Sequence, residues 1–141
     1  MLDHVHRITK LLNRDRRYPI HAYVFVFEAL KYAQKVLEMG VESPSERVGG
    51  RREEKEAPEH HVTGQQLCEA IRRYALQQYG YMAKTVLNSW GIYSTGDFGE
   101  IVFNLIRIGE MRKTPGDRRE DFDGLYDFDT AFKRQFKFQP T

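Results

Sequence analysis

Apolar residues recur at helical spacing along most of this chain, and the spacing lapses in two places. Residues 4–13 predict a short helix, with Val5, Ile8, Leu11 and Leu12 on one side. A polar connection, Asn13 to Arg17, leads to Tyr18-Pro19, and Pro19 suits the first turn of a second helix. That helix, about 20–39, carries Ala22, Phe25, Val26, Ala29, Leu30, Tyr32, Ala33, Val36 and Leu37 on an arc wide enough for two neighbours. Gly40 is its natural stop. Thr63-Gly64-Gln65-Gln66 matches a capping box, and the helix it opens runs to Tyr79 with Leu67, Cys68, Ile71, Tyr74 and Ala75 inward. A shorter helix comes next, over about 81–90, with Met82, Ala83, Val86, Leu87 and Trp90 on one arc and Gly91 as its stop. Ser94 or Thr95 caps the next one, Asp97 complements its positive end, and it runs to Ile108 before Gly109.

The first lapse is Glu42 to Pro58, which has almost nothing to bury and cannot offset the entropy of being ordered. Residues 42–60 therefore read as a long mobile loop. The second lies beyond Gly109. There Glu110 to Thr114 reads as a short strand, Pro115-Gly116-Asp117 as a turn, and part of Arg119 to Tyr126 as a second extended piece. Asp129 then caps a last helical turn carrying Ala131 and Phe132.

These elements predict one α+β domain over 1–141, predominantly helical, with about five helices and a small C-terminal β-hairpin. It divides into an N-terminal helical pair (1–39), the loop, three helices plus the hairpin (63–132), and a tail (133–141). Three helices followed by a basic hairpin make 63–129 winged-helix-like. The recognition helix of such a unit presents polar or basic residues outward. Here Phe98, Ile101, Val102, Leu105 and Ile108 form one apolar face, and Gly99, Phe103 and Ile106 form a second. Only Asp97, Glu100, Asn104 and Arg107 are left for the outside, so the helix is expected to be sandwiched, by the N-terminal helices. At the Trp90-Gly91 corner, Trp90 is expected to be largely buried and Gly91 to take positive φ.

Charge changes the picture little. The chain has 22 basic and 20 acidic residues, a formal net charge of +2, which creates no global field for nucleic acid. The local basic set Arg112, Lys113, Arg118 and Arg119 is the one footprint for nucleic acid, and it is interleaved with Asp117, Glu120, Asp121 and Asp123. A single cysteine, Cys68, excludes an internal disulfide and fits a reducing compartment. No apolar run is long enough to span a bilayer, and no signal peptide is read in residues 1–17. The cytoplasm is the expected location.

Candidate chemistry is sparse. The carboxylates of 117–129 contain only a fragment of a calcium-loop spacing, Asp121-Phe122-Asp123-Gly124. His60-His61 and His4-x-His6 lack a cysteine or carboxylate at zinc-site spacing. Cys68 lies on a core arc, and no phosphate loop, nucleophile elbow or dinucleotide fingerprint is present. No catalytic, cofactor or metal residue is assigned. The tail offers a candidate partner contact in Phe132, Phe136 and Phe138, set among Lys133, Arg134 and Lys137. Those rings either dock on the chain's own 20–39 helix or reach a neighbour as an arm.

Several strings together resemble a small bacterial family of unknown function associated with Planctomycetes and Verrucomicrobia. They are Tyr18-Pro19 with Ala22-Tyr23 and Phe27-Glu28-Ala29-Leu30, His61-Val62-Thr63-Gly64-Gln65, Ser89-Trp90-Gly91-Ile92, Asp97 to Leu105, and Asp121-Phe122 with Tyr126-Asp127-Phe128. The resemblance spans about Arg17 to Phe132 and departs at Arg118, where an Asp-Ser-like pair is expected in place of Asp117-Arg118. It implies no activity, cofactor or catalytic residue. The expected function is a non-enzymatic interaction module that contacts a protein partner or a second copy of itself. A winged-helix nucleic-acid binder is the less favoured alternative, and a small enzyme or metal protein the next.

Overall fold

Five α-helices carry the fold among the residues described by the computed structural model, which are 2–39, 41–42 and 60–134, with side chains over 5–39 and 61–132. They are α1 (Leu2–Arg14), α2 (Ile20–Lys35), α3 (Gly64–Tyr79), α4 (Ala83–Ser89) and α5 (Thr95–Arg107). Tight 3-10 turns cover Gly80–Met82 and Arg119–Phe122, and a wider turn covers Asp129–Arg134.

Local chemistry sets most of these boundaries. At the start of α3 the Thr63 N–H donates to Gln66 Oε1 at 3.0 Å, and the Gln66 N–H donates to Thr63 Oγ1 at 3.1 Å. This is the reciprocal cap that the sequence predicts. At the start of α5 the Asp97 carboxylate reaches back to the N–H groups of Tyr93 (2.8 Å) and Ser94 (3.2 Å). The end of α2 comes earlier than the pattern suggests. Glu38 takes the left-handed conformation, φ 54°, and the Met39 N–H donates to Ala33 O at 2.8 Å. The six-residue closing bond has formed before Gly40 is reached.

The core lies where α2 packs on α3 and α5 crosses α2. Its fully buried members include Tyr23, Val26, Ile71, Leu87, Ile92, Phe98, Ile101 and Leu105. Each such side chain gains roughly 1.5–3 kcal/mol from leaving water. The C-terminal segment closes over one side: Phe98 stacks on Phe128 (5.8 Å between ring centres), and Phe132 meets Phe128 edge-on (5.1 Å).

The predicted hairpin does not form, and with it goes the α+β, winged-helix-like reading. Among the described residues the only strand pairing is a two-residue antiparallel bridge, Val41 opposite His61 and Glu42 opposite His60. Residues 110–118 run as turns and irregular chain, and Arg119–Phe122 coils into a 3-10 turn. The physical reason is Phe122. Its ring sits in a notch made by two glycines on separate helices. A Cβ on Gly64 would lie 2.9 Å from Phe122 Cε1, and one on Gly99 would lie 2.8 Å from Phe122 Cβ. Seating that wedge needs a coiled approach, and an extended strand does not provide one. The second apolar face of α5 is thus partly covered by this turn, while α2 packs on α5 elsewhere, so the N-terminal helices alone do not make the sandwich.

The Trp90 corner is only partly as predicted. Trp90 is half-buried, with its ring 5.6 Å from Phe25, 6.3 Å from Tyr79 and stacked at 6.4 Å on His21. Gly91 has φ +84°, and a Cβ there would meet the Arg17 carbonyl oxygen at 2.7 Å. The loop predicted over 42–60 lies outside the described residues except at its two ends, and so does the tail beyond 134. No helix among the described residues is long and apolar enough to cross a membrane.

Candidate functional site

A cleft of about 550 Å³ opens between α2, the start of α3, α5 and the chain from Gly109 to Phe122. Its floor is apolar: Phe27 and Leu30 from α2, Leu67 from α3, and Val102, Phe103 and Ile106 from α5. Helical spacing explains the last group, because Val102, Phe103 and Ile106 project from one side of α5. Phe122 closes one flank, with its ring edge-on to Phe103 at 6.4 Å. Phe27, Leu30, Phe103 and Ile106 stay half-covered, although they pack against the core. A volume near 550 Å³ with an apolar floor and few polar groups is the size and character of a small-molecule site, roughly 300–1,000 Å³.

The rim is polar. His61 Nε2 lies 2.7 Å from Asp117 Oδ2, and that oxygen also accepts the Thr114 N–H (2.9 Å) and the Thr114 hydroxyl (3.1 Å). This latch ties the lead-in to α3 to the 114–117 turn. Glu110 is held from outside the cleft by Arg7, whose Nε donates to Oε2 at 3.1 Å. Asp121 accepts the Arg118 N–H at 3.0 Å. Lys31, Arg112 and Lys113 are the exposed cations of the rim.

A different face of α5 carries a closed polar network. Asn104, only 2% exposed, donates from Nδ2 to Asp15 Oδ2 and to the Tyr23 hydroxyl oxygen, both at 3.0 Å, and its Oδ1 accepts from Arg107. The Tyr18 hydroxyl donates to Asp97 at 2.5 Å. Arg17 bridges Asp15 (2.6 Å) and Glu100 (3.1 Å), and Arg119 bridges Glu100 (2.6 Å) and Asp123 (2.8 Å). The Arg17 hydrogen bonds hold the Asp15 carboxyl well below its usual range, and the Arg119 hydrogen bond lowers that of Glu100. Burial pushes the Tyr18 and Tyr23 phenols up, and for Tyr18 the Asp97 acceptor adds to it. Here every polar group already has its partner, so the network fixes the α1–α2 elbow onto α5.

The four residues of the basic set predicted for nucleic acid have different surroundings. Arg112 and Lys113 stand on the cleft rim, Arg118 is exposed, and Arg119 is committed to Glu100 and Asp123. Among the described residues no β-wing carries them. Of the candidate partner contacts, Phe132 is 1% exposed and packs inside against Phe128 and Tyr126 rather than on α2. Phe136 and Phe138 lie outside the described residues. The carboxylates of 117–129 face separate partners: His61 for Asp117, Arg119 for Asp123, Thr130 for Asp127 and Lys84 for Asp129. Among the described residues no three metal-ligating side chains converge. Cys68 is buried, and burial pushes its thiol pKa up.

Asn104 and the cleft are what sequence reasoning missed. Asn104 is placed outside by helical phase, because a polar residue on an apolar helix defaults to solvent. The cleft had one readable signal: Gly99 inside a helix costs about 1 kcal/mol relative to Ala and marks a close approach. Comparison with protein-family models, with curated proteins and with solved structures found no match, and the bacterial-family resemblance gains no support from them.

Proposed function

We propose that this protein is a binding module whose cleft receives the apolar part of a ligand. The observation that carries this is the half-covered apolar side of α5. Phe103 and Ile106 border an open volume of about 550 Å³, while Phe98, Ile101 and Leu105 of the same helix are fully buried. Apolar surface left open in a shaped cleft with a polar rim is the usual setting of ligand recognition. The reading refines an interaction module by giving it a defined pocket, and it needs no self-association.

An uncharged naphthylamine fluorophore tests it. Its emission should rise on mixing with the protein, and Ile106→Trp, which fills the cleft, should abolish the rise. Val24→Ser, on the exposed side of α2, should leave it intact. Equal enhancement in all three proteins would place the dye elsewhere and end the proposal.

A second reading rests on the latch. Asp117, fixed by Thr114, holds His61 at the cleft rim, as a carboxylate orients a general base. Cys68 is buried and its thiol proton is held tightly, so such an enzyme would activate water instead. His61→Gln and Asp117→Asn would then abolish a turnover that Ile106→Trp also blocks. Activity indifferent to the histidine would dismiss this reading.

A further inference from the structure

We infer that the ligand of this cleft is an amphipathic anion, a carboxylate carried on an aliphatic chain, with its head held at the rim by Lys31 and Lys113. The inference rests on the reading of the cleft as a binding site and adds the chemistry of the head group. Its basis is how the rim charges are already engaged. The acids of the rim have partners: Glu110 takes Arg7, Asp117 takes His61 and Thr114, and Asp121 takes the Arg118 amide. Among the described residues Lys31 makes no ion pair with a carboxylate, and Lys113 Nζ donates to the Thr114 carbonyl oxygen at 3.1 Å. The two lysines belong to different walls, α2 and the 109–117 segment, and both line the cleft. Both are exposed, so neither ammonium loses its hydration until a ligand arrives. Below them the floor offers only apolar side chains, which suits a chain without polar groups of its own. A cationic ligand would face two ammonium groups, and acids whose oxygens already accept hydrogen bonds from the protein.

The full chain is titrated with decanoate, decan-1-ol and decyltrimethylammonium, below their critical aggregation concentrations, by calorimetry and by displacement of the uncharged dye. Decanoate should bind roughly tenfold tighter than the alcohol, since each rim ion pair contributes modestly in water. The advantage should shrink as salt rises. Lys31→Gln/Lys113→Gln should bring decanoate down to the alcohol while leaving the alcohol unchanged. Both sites are exposed, and an unchanged melting temperature confirms an intact fold. Equal binding of decanoate and alcohol, or tighter binding of the ammonium compound, would overturn the anionic head and leave the apolar cleft standing. If none of the three displaces a dye that Ile106→Trp excludes, the aliphatic-chain ligand is overturned; if Ile106→Trp does not exclude the dye, the cleft reading fails.

Discussion

Two faces of α5 are built on opposite terms. On one, Asn104 uses both amide hydrogens and its oxygen, and Glu100 is gripped by two arginines. On the other, Phe103 and Ile106 border open space. The polar face is complete around a buried Asn104, and the apolar face is accessible and incomplete. Polarity alone therefore says little about where function sits. A satisfied polar network rigidifies a fold, whereas uncovered apolar surface in a concave place is available for contact.

The comparison breaks most sharply at Asn104. Asn104→Ala strands the Tyr23 hydroxyl and removes one bond to Asp15 and one from Arg107, at about 3 kcal/mol in urea unfolding. Ile106→Ala, half-exposed on the cleft, should cost about 1 kcal/mol, less than a fully buried site. If the two losses are equal, the contrast between the faces is wrong. Gly99→Ala comes next. Its Cβ would press on Phe122 at 2.8 Å, so the wedge must shift, at about 2 kcal/mol. The same substitution should loosen the cleft flank and weaken dye binding, which Asn104→Ala should not do in molecules that remain folded.

The helices were legible because their signals are local. Thr63 and Gln66 cap each other three residues apart, and Gly91 ends α4 where Arg17 leaves no room for a side chain. The hairpin was misread because Pro115-Gly116 marks a reversal without fixing the conformation beyond it. That conformation is decided by Phe122 fitting between Gly64 and Gly99, residues far apart in sequence. The cleft was hidden for the same reason: Phe27, Leu67 and Phe103 lie on three helices, and only packing brings them together. Asn104 was misplaced because its partners, Asp15 and Tyr23, come from the other end of the chain.

The polar face should also carry an acid sensitivity. Asp15 is held below the usual carboxyl range of about 3.9 by Arg17 and Asn104. A depressed folded pKa contributes stability that is full above the unfolded pKa and is lost as pH falls toward the folded one. Asp15→Asn should therefore cost about 1 kcal/mol at neutral pH, a modest value because Arg17 is half exposed and water screens the pair. The gap to the unaltered protein should narrow steadily below about pH 4. A gap that stays constant down to about pH 2, below the usual carboxyl range, would show that the carboxylate charge contributes nothing.

The smallest expected effect is at the latch. His61 and Asp117 are each partly exposed, and exposed pairs contribute little, so His61→Ala should shift stability by only about 0.5 kcal/mol. Its consequence lies in the cleft. With the imidazole gone, Asp117 keeps its Thr114 bonds but no longer ties them to the start of α3. The 114–117 turn should then move more freely, carrying Lys113 with it. Decanoate should bind a few-fold more weakly to His61→Ala, and decan-1-ol should bind unchanged, because the floor is untouched. Hydrogen exchange at the Asp117 amide, which donates to Thr114 O at 3.1 Å, reads the same event independently. Faster exchange with weaker carboxylate binding would tie the rim to the apolar face. Faster exchange with no change in binding would show that the latch holds the turn and has no part in recognition.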